Sequence, residues 1–150
     1  MEFAAFADRA STIESESADT AVTELVTSLL REAGTDLETL TRFVQGRVFP
    51  AHESRTLDIG PALCYEAIAR AAGQNVDADD VERRLAETGE IGDVAASYDF
   101  GGQQGLGAFG GGSRAALTVA EVAARLDELA GAAGSGSQER KVDILFGLFN

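Results

Sequence analysis

The sequence predicts an all-α, compact multi-helix domain. Apolar residues recur at helical spacing along nearly the whole chain, no window sustains two-residue alternation, and glycines, prolines and capping residues punctuate the apolar stretches.

The first helix places Phe3, Phe6, Ala10 and Ile13 on one face. The second runs from about Ser17 to Ala33 with Val22, Leu25, Val26, Leu29 and Leu30 inward, and Gly34 stops it as a C-terminal cap. Asp36 caps a third helix, whose face is Leu37, Leu40, Phe43 and Val44; Gly46 ends it, and an irregular stretch follows through Pro50 to Ile59. Pro61 opens the fourth in its first turn, where a missing N–H costs nothing. Its face is Leu63, Cys64, Ala67, Ile68 and Ala71, and Gly73 stops it. Asp77 or Asp79 opens the fifth, which passes Val81 and Leu85 and ends at Thr88-Gly89, and a short sixth spans Gly92 to Tyr98. Residues 101–112 hold seven glycines and are expected to form a flexible loop. Thr118-Val119-Ala120-Glu121 is a capping box for a seventh helix through Leu129. Ser137 caps an eighth, with Val142, Leu145, Phe146 and Phe149 apolar. That helix is still apolar and uncapped at Leu148-Phe149, so a domain of a longer protein is expected. No internal repeat occurs.

A chain of 150 residues suffices for one ordinary domain, which buries roughly 70% of its unfolded surface without needing disulfides or metals. Cys64 is the only cysteine, which excludes an intrachain disulfide and a cysteine-based zinc cluster. No apolar segment resembles a signal peptide or approaches the roughly 18–20 residues of a membrane span, so the expected location is the reducing cytoplasm, with no membrane partner. The net charge is −13, and Lys141 is the only lysine among twelve basic residues. An acidic, lysine-poor surface fits a very salty cytosol, so a halophilic source is expected.

Catalytic constellations are missing. His52 is the only histidine, and neither Ser54 nor Cys64 comes with the base and orienting group that nucleophilic catalysis requires. Cys64 reads as a small buried core residue beside Leu63 and Ile68. Glu14-Glu16 and Asp79-Asp80 read as solvated faces in so acidic a chain. Gly105 to Gly110 matches G-x-G-x-x-G, but a dinucleotide site needs a strand before the glycines and a helix directly after them, and neither is predicted here. No P-loop pattern exists.

What remains is anion recognition at helix starts. In Gly134-Ser135-Gly136-Ser137-Gln138-Glu139-Arg140-Lys141 the glycines admit a ligand to the main chain, and exposed N–H groups with the positive end of the helix dipole favour a phosphate. Arg140 and Lys141 in the first turn oppose that dipole, and an approaching phosphate would compensate. The same residues also read as an ordinary Gly-Ser connection with a serine cap. Thr88-Gly89-Glu90-Ile91-Gly92-Asp93 is a second such element, with the same two readings.

Five stretches in register carry a resemblance: Gly46-Arg47-Val48-Phe49-Pro50, Leu57-Asp58-Ile59-Gly60, Thr88 to Ala95, Leu117-Thr118-Val119, and Gly134 to Gln138 with Lys141 and Leu145 to Phe149. Together they resemble the N-terminal DNA-binding domain of ATP-dependent DNA ligases, particularly archaeal and haloarchaeal ones. Arg47 departs from the acidic residue of that pattern, and Asp58 stands where a glycine is usual. The resemblance implies a single helical DNA-binding domain over residues 1–150 that grips nicked duplex across the minor groove. By carry-over the contact residues are Gly89, Gly92, Ser135, Ser137, Gln138, Arg140 and Lys141. It also implies that the Lys-x-Asp-Gly nucleophile, the adenylation and OB-fold domains, and the use of ATP and Mg2+ lie beyond residue 150. This segment alone is expected to be inactive and to hold no cofactor or metal, and a sliding clamp is a candidate further partner.

Charge argues about the mode of binding. Five phosphate contacts cost about 4.5 log units of affinity per tenfold rise in salt, so in molar salt binding must rest on hydrogen bonds and shape. A helical protein-interaction adaptor is the alternative reading and predicts an exposed apolar groove. A helix-turn-helix regulator is disfavoured, because no helix here is basic enough to read a major groove.

Overall fold

A computed structural model describes residues 1–98, 100 and 116–149. Among them are eight α-helices: α1 (Phe3–Ser15), α2 (Asp19–Arg31), α3 (Leu37–Val44), α4 (Pro61–Ala72), α5 (Ala78–Thr88), α6 (Ile91–Ala96), α7 (Val119–Gly131) and α8 (Ser137–Phe149). Among the described residues one bridge, Glu2 to Thr118, occurs, isolated and outside any sheet. The all-α expectation holds. The expected loop at 101–112 and the glycine motif at 105–110 lie outside the described residues.

The chain forms two compact units. The first comprises Met1–Thr56 with α7 as far as Asp127. Its core is Phe6, Leu29, Ala33, Leu40 and Val119, flanked by Phe3, Ile13 and Phe43. Full burial of a leucine such as Leu29 stabilises by roughly 1.5–3 kcal/mol, so the stripe read from α1 to α3 is what holds this unit together. α2 ends at Arg31, earlier than its apolar pattern suggests, and Gly34 (φ +54) instead opens a 3-10 turn, Gly34–Asp36. Asp36 stands at the N-cap of α3 but makes no side-chain cap; its carboxylate pairs with the Met1 ammonium at 2.6 Å. Gly46 (φ +67) closes α3, with its N–H donating to the Phe43 carbonyl and that of Arg47 to the Arg42 carbonyl, both at 2.9 Å. This is a Schellman ending, which needs a left-handed residue at Gly46. In the capping box of α7 the Thr118 N–H donates to Glu121 Oε2 at 2.8 Å, and the Glu121 N–H donates to Thr118 Oγ1 at 3.2 Å.

The second unit comprises Leu57 through α6 and, from Glu128, the end of α7 and α8. In it α4 packs on α8 and α5, and α5 on α6. Ile68, Ala69, Val81 and Val94 form the core, with Leu85 and Phe149 against it. Ala67, Ala71, Leu129, Val142 and Ile144 are also buried. Pro61 starts α4 and Gly73 ends it. Of the two aspartates that could open α5 it is Asp77 that does so, in a reciprocal capping box with Asp80. Cys64, expected in the core, is half-buried, and desolvation pushes its thiol up. Arg70 joins α4 to α8, pairing with Asp143 while its guanidinium lies 5.0 Å from the centre of the Phe146 ring.

Candidate nucleic-acid interface

The start of α8 is built by two left-handed glycines. Gly134 has φ +86 and Gly136 φ +77, conformations that cost an L side chain roughly 1–2 kcal/mol, so the glycines are required by the turn itself. A Cβ at either position would meet open space. The Ser137 N–H donates to the Gly134 carbonyl and that of Arg140 to the Gly136 carbonyl, each at 3.2 Å. The amides of Gln138 and Glu139 take no backbone partner among the described residues, as expected in a first turn. Gly134, Gly136, Ser137, Gln138 and Glu139 line an open hollow of about 440 Å³. Ser137, expected as the cap, is instead the first helical residue, and Gly136 stands before it. Ser135 and Gln138 are exposed. Arg140 is exposed too, and its guanidinium pairs with Glu128 at 3.2 Å.

Lys141 is placed differently from the rest of this run. It is 4% exposed, the one buried charged residue of the described chain. Its ammonium donates to the Asp58 carbonyl at 2.7 Å, the Leu57 carbonyl at 3.3 Å and Asp58 Oδ2 at 3.3 Å. Helical spacing carries a signal for this: Lys141 begins an i, i+3, i+4, i+7 stripe with Ile144, Leu145 and Leu148. Asp58 itself has φ +49, a left-handed conformation that aspartate tolerates better than most residues.

The second element divides in the same way. Gly89 (φ +84) is the C-cap of α5, its N–H donating to the Leu85 carbonyl at 2.8 Å. Gly92 lies exposed in the first turn of α6, preceded by Glu90, which makes no side-chain cap. Nearby on α5, Arg83 pairs with Asp80, and the Arg84 guanidinium sits 4.6 Å from the Tyr98 ring centre while donating to Ser97 Oγ at 2.8 Å.

Residues 2–150 match the family described as DNA ligase N terminus. The chain belongs to that family. It is 76% identical over its whole length to a DNA ligase of Haloarcula marismortui and 66% identical to one of Haloferax volcanii. A DNA ligase of Pyrobaculum neutrophilum is 32% identical over 99% of the chain. The chain spans 27%, 26% and 25% of these three relatives, about a quarter of each. The family therefore accounts for the five stretches in register, and the relatives from halophilic archaea accord with the acidic, lysine-poor composition. Among the described residues no helix is long and apolar enough to cross a membrane, and no three His, Cys, Asp or Glu side chains are grouped as a metal ion requires.

Proposed function

We propose that this chain grips nicked duplex DNA for an ATP-dependent DNA ligase, contacting backbone phosphates across the minor groove. The observation that carries the reading is the start of α8. There, two left-handed glycines expose a helix N-terminus over an open, polar-lined hollow, in a chain that belongs to the DNA ligase N-terminal family. Backbone N–H groups and a helix dipole recognise phosphate without needing lysines, which suits a protein of net charge −13. Ser135, Ser137, Gln138 and Arg140 are the proposed contacts there, with Arg140 exchanging Glu128 for phosphate. Gly89 and Gly92 are the proposed second contact.

The full-length ligase is proposed to place its Lys-x-Asp-Gly nucleophile, adenylation domain and OB-fold domain after residue 150. Those parts would use ATP and Mg2+ to seal nicks in replication, repair and recombination in the cytoplasm, with a sliding clamp as a further partner. Hydroxyl-radical footprinting of a nicked duplex tests the grip. Protection of minor-groove sugars on both sides of the break is expected, and protection on one side only, or none at saturating chain, overturns the reading.

A further inference from the structure

We infer that Lys141 is a positioning residue for the proposed DNA contact: it ties the Leu57–Asp58 segment leading into α4 to the first turns of α8, and does not itself touch phosphate. The inference rests on the reading of the α8 start as a DNA contact. An ammonium has three N–H donors, and three acceptors surround this one, the carbonyls of Leu57 and Asp58 and the Asp58 carboxylate. No donor is left for a ligand, and the residue is only 4% exposed.

The backbone at Asp58 explains why a cation stands there. Asp58 holds the one positive φ outside glycine among the described residues, and its bend turns two successive carbonyls toward a single point. Converging carbonyl dipoles repel each other, and a cation at their focus holds the bend. The carboxylate matters less, because it is 88% exposed and solvent screens its charge. Lys141 lies one helical turn after Ser137, so this clasp fixes where the hollow at Gly134–Gln138 stands relative to the start of α4.

The chain has a single lysine, so labelling lysine side chains with 15N places one ammonium signal in an NMR spectrum. In the free chain a resolved signal in slow exchange with water is expected; its loss to rapid exchange overturns the clasp. On saturation with a nicked duplex, the signal is expected to move less than the Gln138 amide, and a larger movement overturns the claim that Lys141 does not touch phosphate. Lys141→Met keeps the length of the side chain and its apolar stem but removes the cation from the focus of the carbonyls. Nicked-duplex affinity is expected to fall about tenfold with the slope of log affinity against log salt unchanged, since no phosphate contact is lost. Unchanged affinity, or a slope smaller by about one, overturns the positioning role. If the parent chain binds no nicked duplex, the DNA reading fails, and the free-chain signal still upholds or overturns the clasp.

Discussion

The Lys141 ammonium donates to the Asp58 carbonyl at 2.7 Å, and Asp58 is the one described residue other than glycine held at positive φ. The two facts belong together. A left-handed aspartate costs energy that a glycine would not, and the ammonium offsets it by satisfying the carbonyls that the bend brings together.

Substitution at Asp58 should therefore follow backbone conformation and not charge. Asp58→Gly keeps both carbonyls and relieves the strain, so its stability is expected within about 1 kcal/mol of the parent or above it. Asp58→Val puts a β-branched residue in the left-handed region and is expected to lose about 2 kcal/mol. Denaturant midpoints in molar KCl decide between them.

Four carboxylates predict the acid limb of stability. The Thr118 N–H and hydroxyl hold Glu121 below the usual range, the Ala18 and Ser17 N–H groups do so for Glu16, the Arg9 guanidinium for Glu32, and the Arg83 guanidinium with the Asp77 N–H for Asp80. A depressed folded-state pKa gives stability that is complete above the ordinary carboxylate range and is lost as pH falls through the folded value. Melting temperature should accordingly fall below about pH 4. Glu121→Gln removes one titrating group and should make that fall shallower, which thermal melts across pH measure directly.

Gln138→Glu separates folding from binding. An added carboxylate in the first turn of α8 favours the helix dipole by about 0.3–1 kcal/mol, so the variant should melt no lower than the parent. The same charge repels phosphate at the hollow, and nicked-duplex affinity is expected to drop about tenfold, the loss of about 1.4 kcal/mol. Equal affinity of the two would remove Gln138 from the contact.

Salt should be required for folding. The Debye length grows from about 3 Å in molar salt to about 30 Å at 0.01 M, leaving a net charge of −13 unscreened. Circular dichroism should report a loss of helix on dialysis into millimolar KCl and its recovery in molar KCl.

Most of the fold was legible because local rules agreed with the packing. Glycines at 46, 73 and 89, Pro61 and the Thr118–Glu121 box mark helix ends by backbone chemistry that tertiary structure does not override. Asp36 misled because its carboxylate found the Met1 ammonium, a partner 35 residues away that no local pattern contains. In the candidate site the turn at Gly134–Gln138 was legible, because its glycines announce it. Lys141 was read as a phosphate contact from its place in a first turn. Its acceptors at Leu57 and Asp58 lie more than 80 residues earlier, so only the apolar stripe it shares with Ile144 and Leu145 hinted at burial.

The most direct test of the DNA grip is a titration of labelled nicked duplexes of unrelated sequence with the 150-residue chain in molar KCl, read by fluorescence anisotropy. Saturable, weak and sequence-independent binding that survives molar salt is the predicted result. Absence of saturable binding at every KCl concentration where the chain is folded would contradict it.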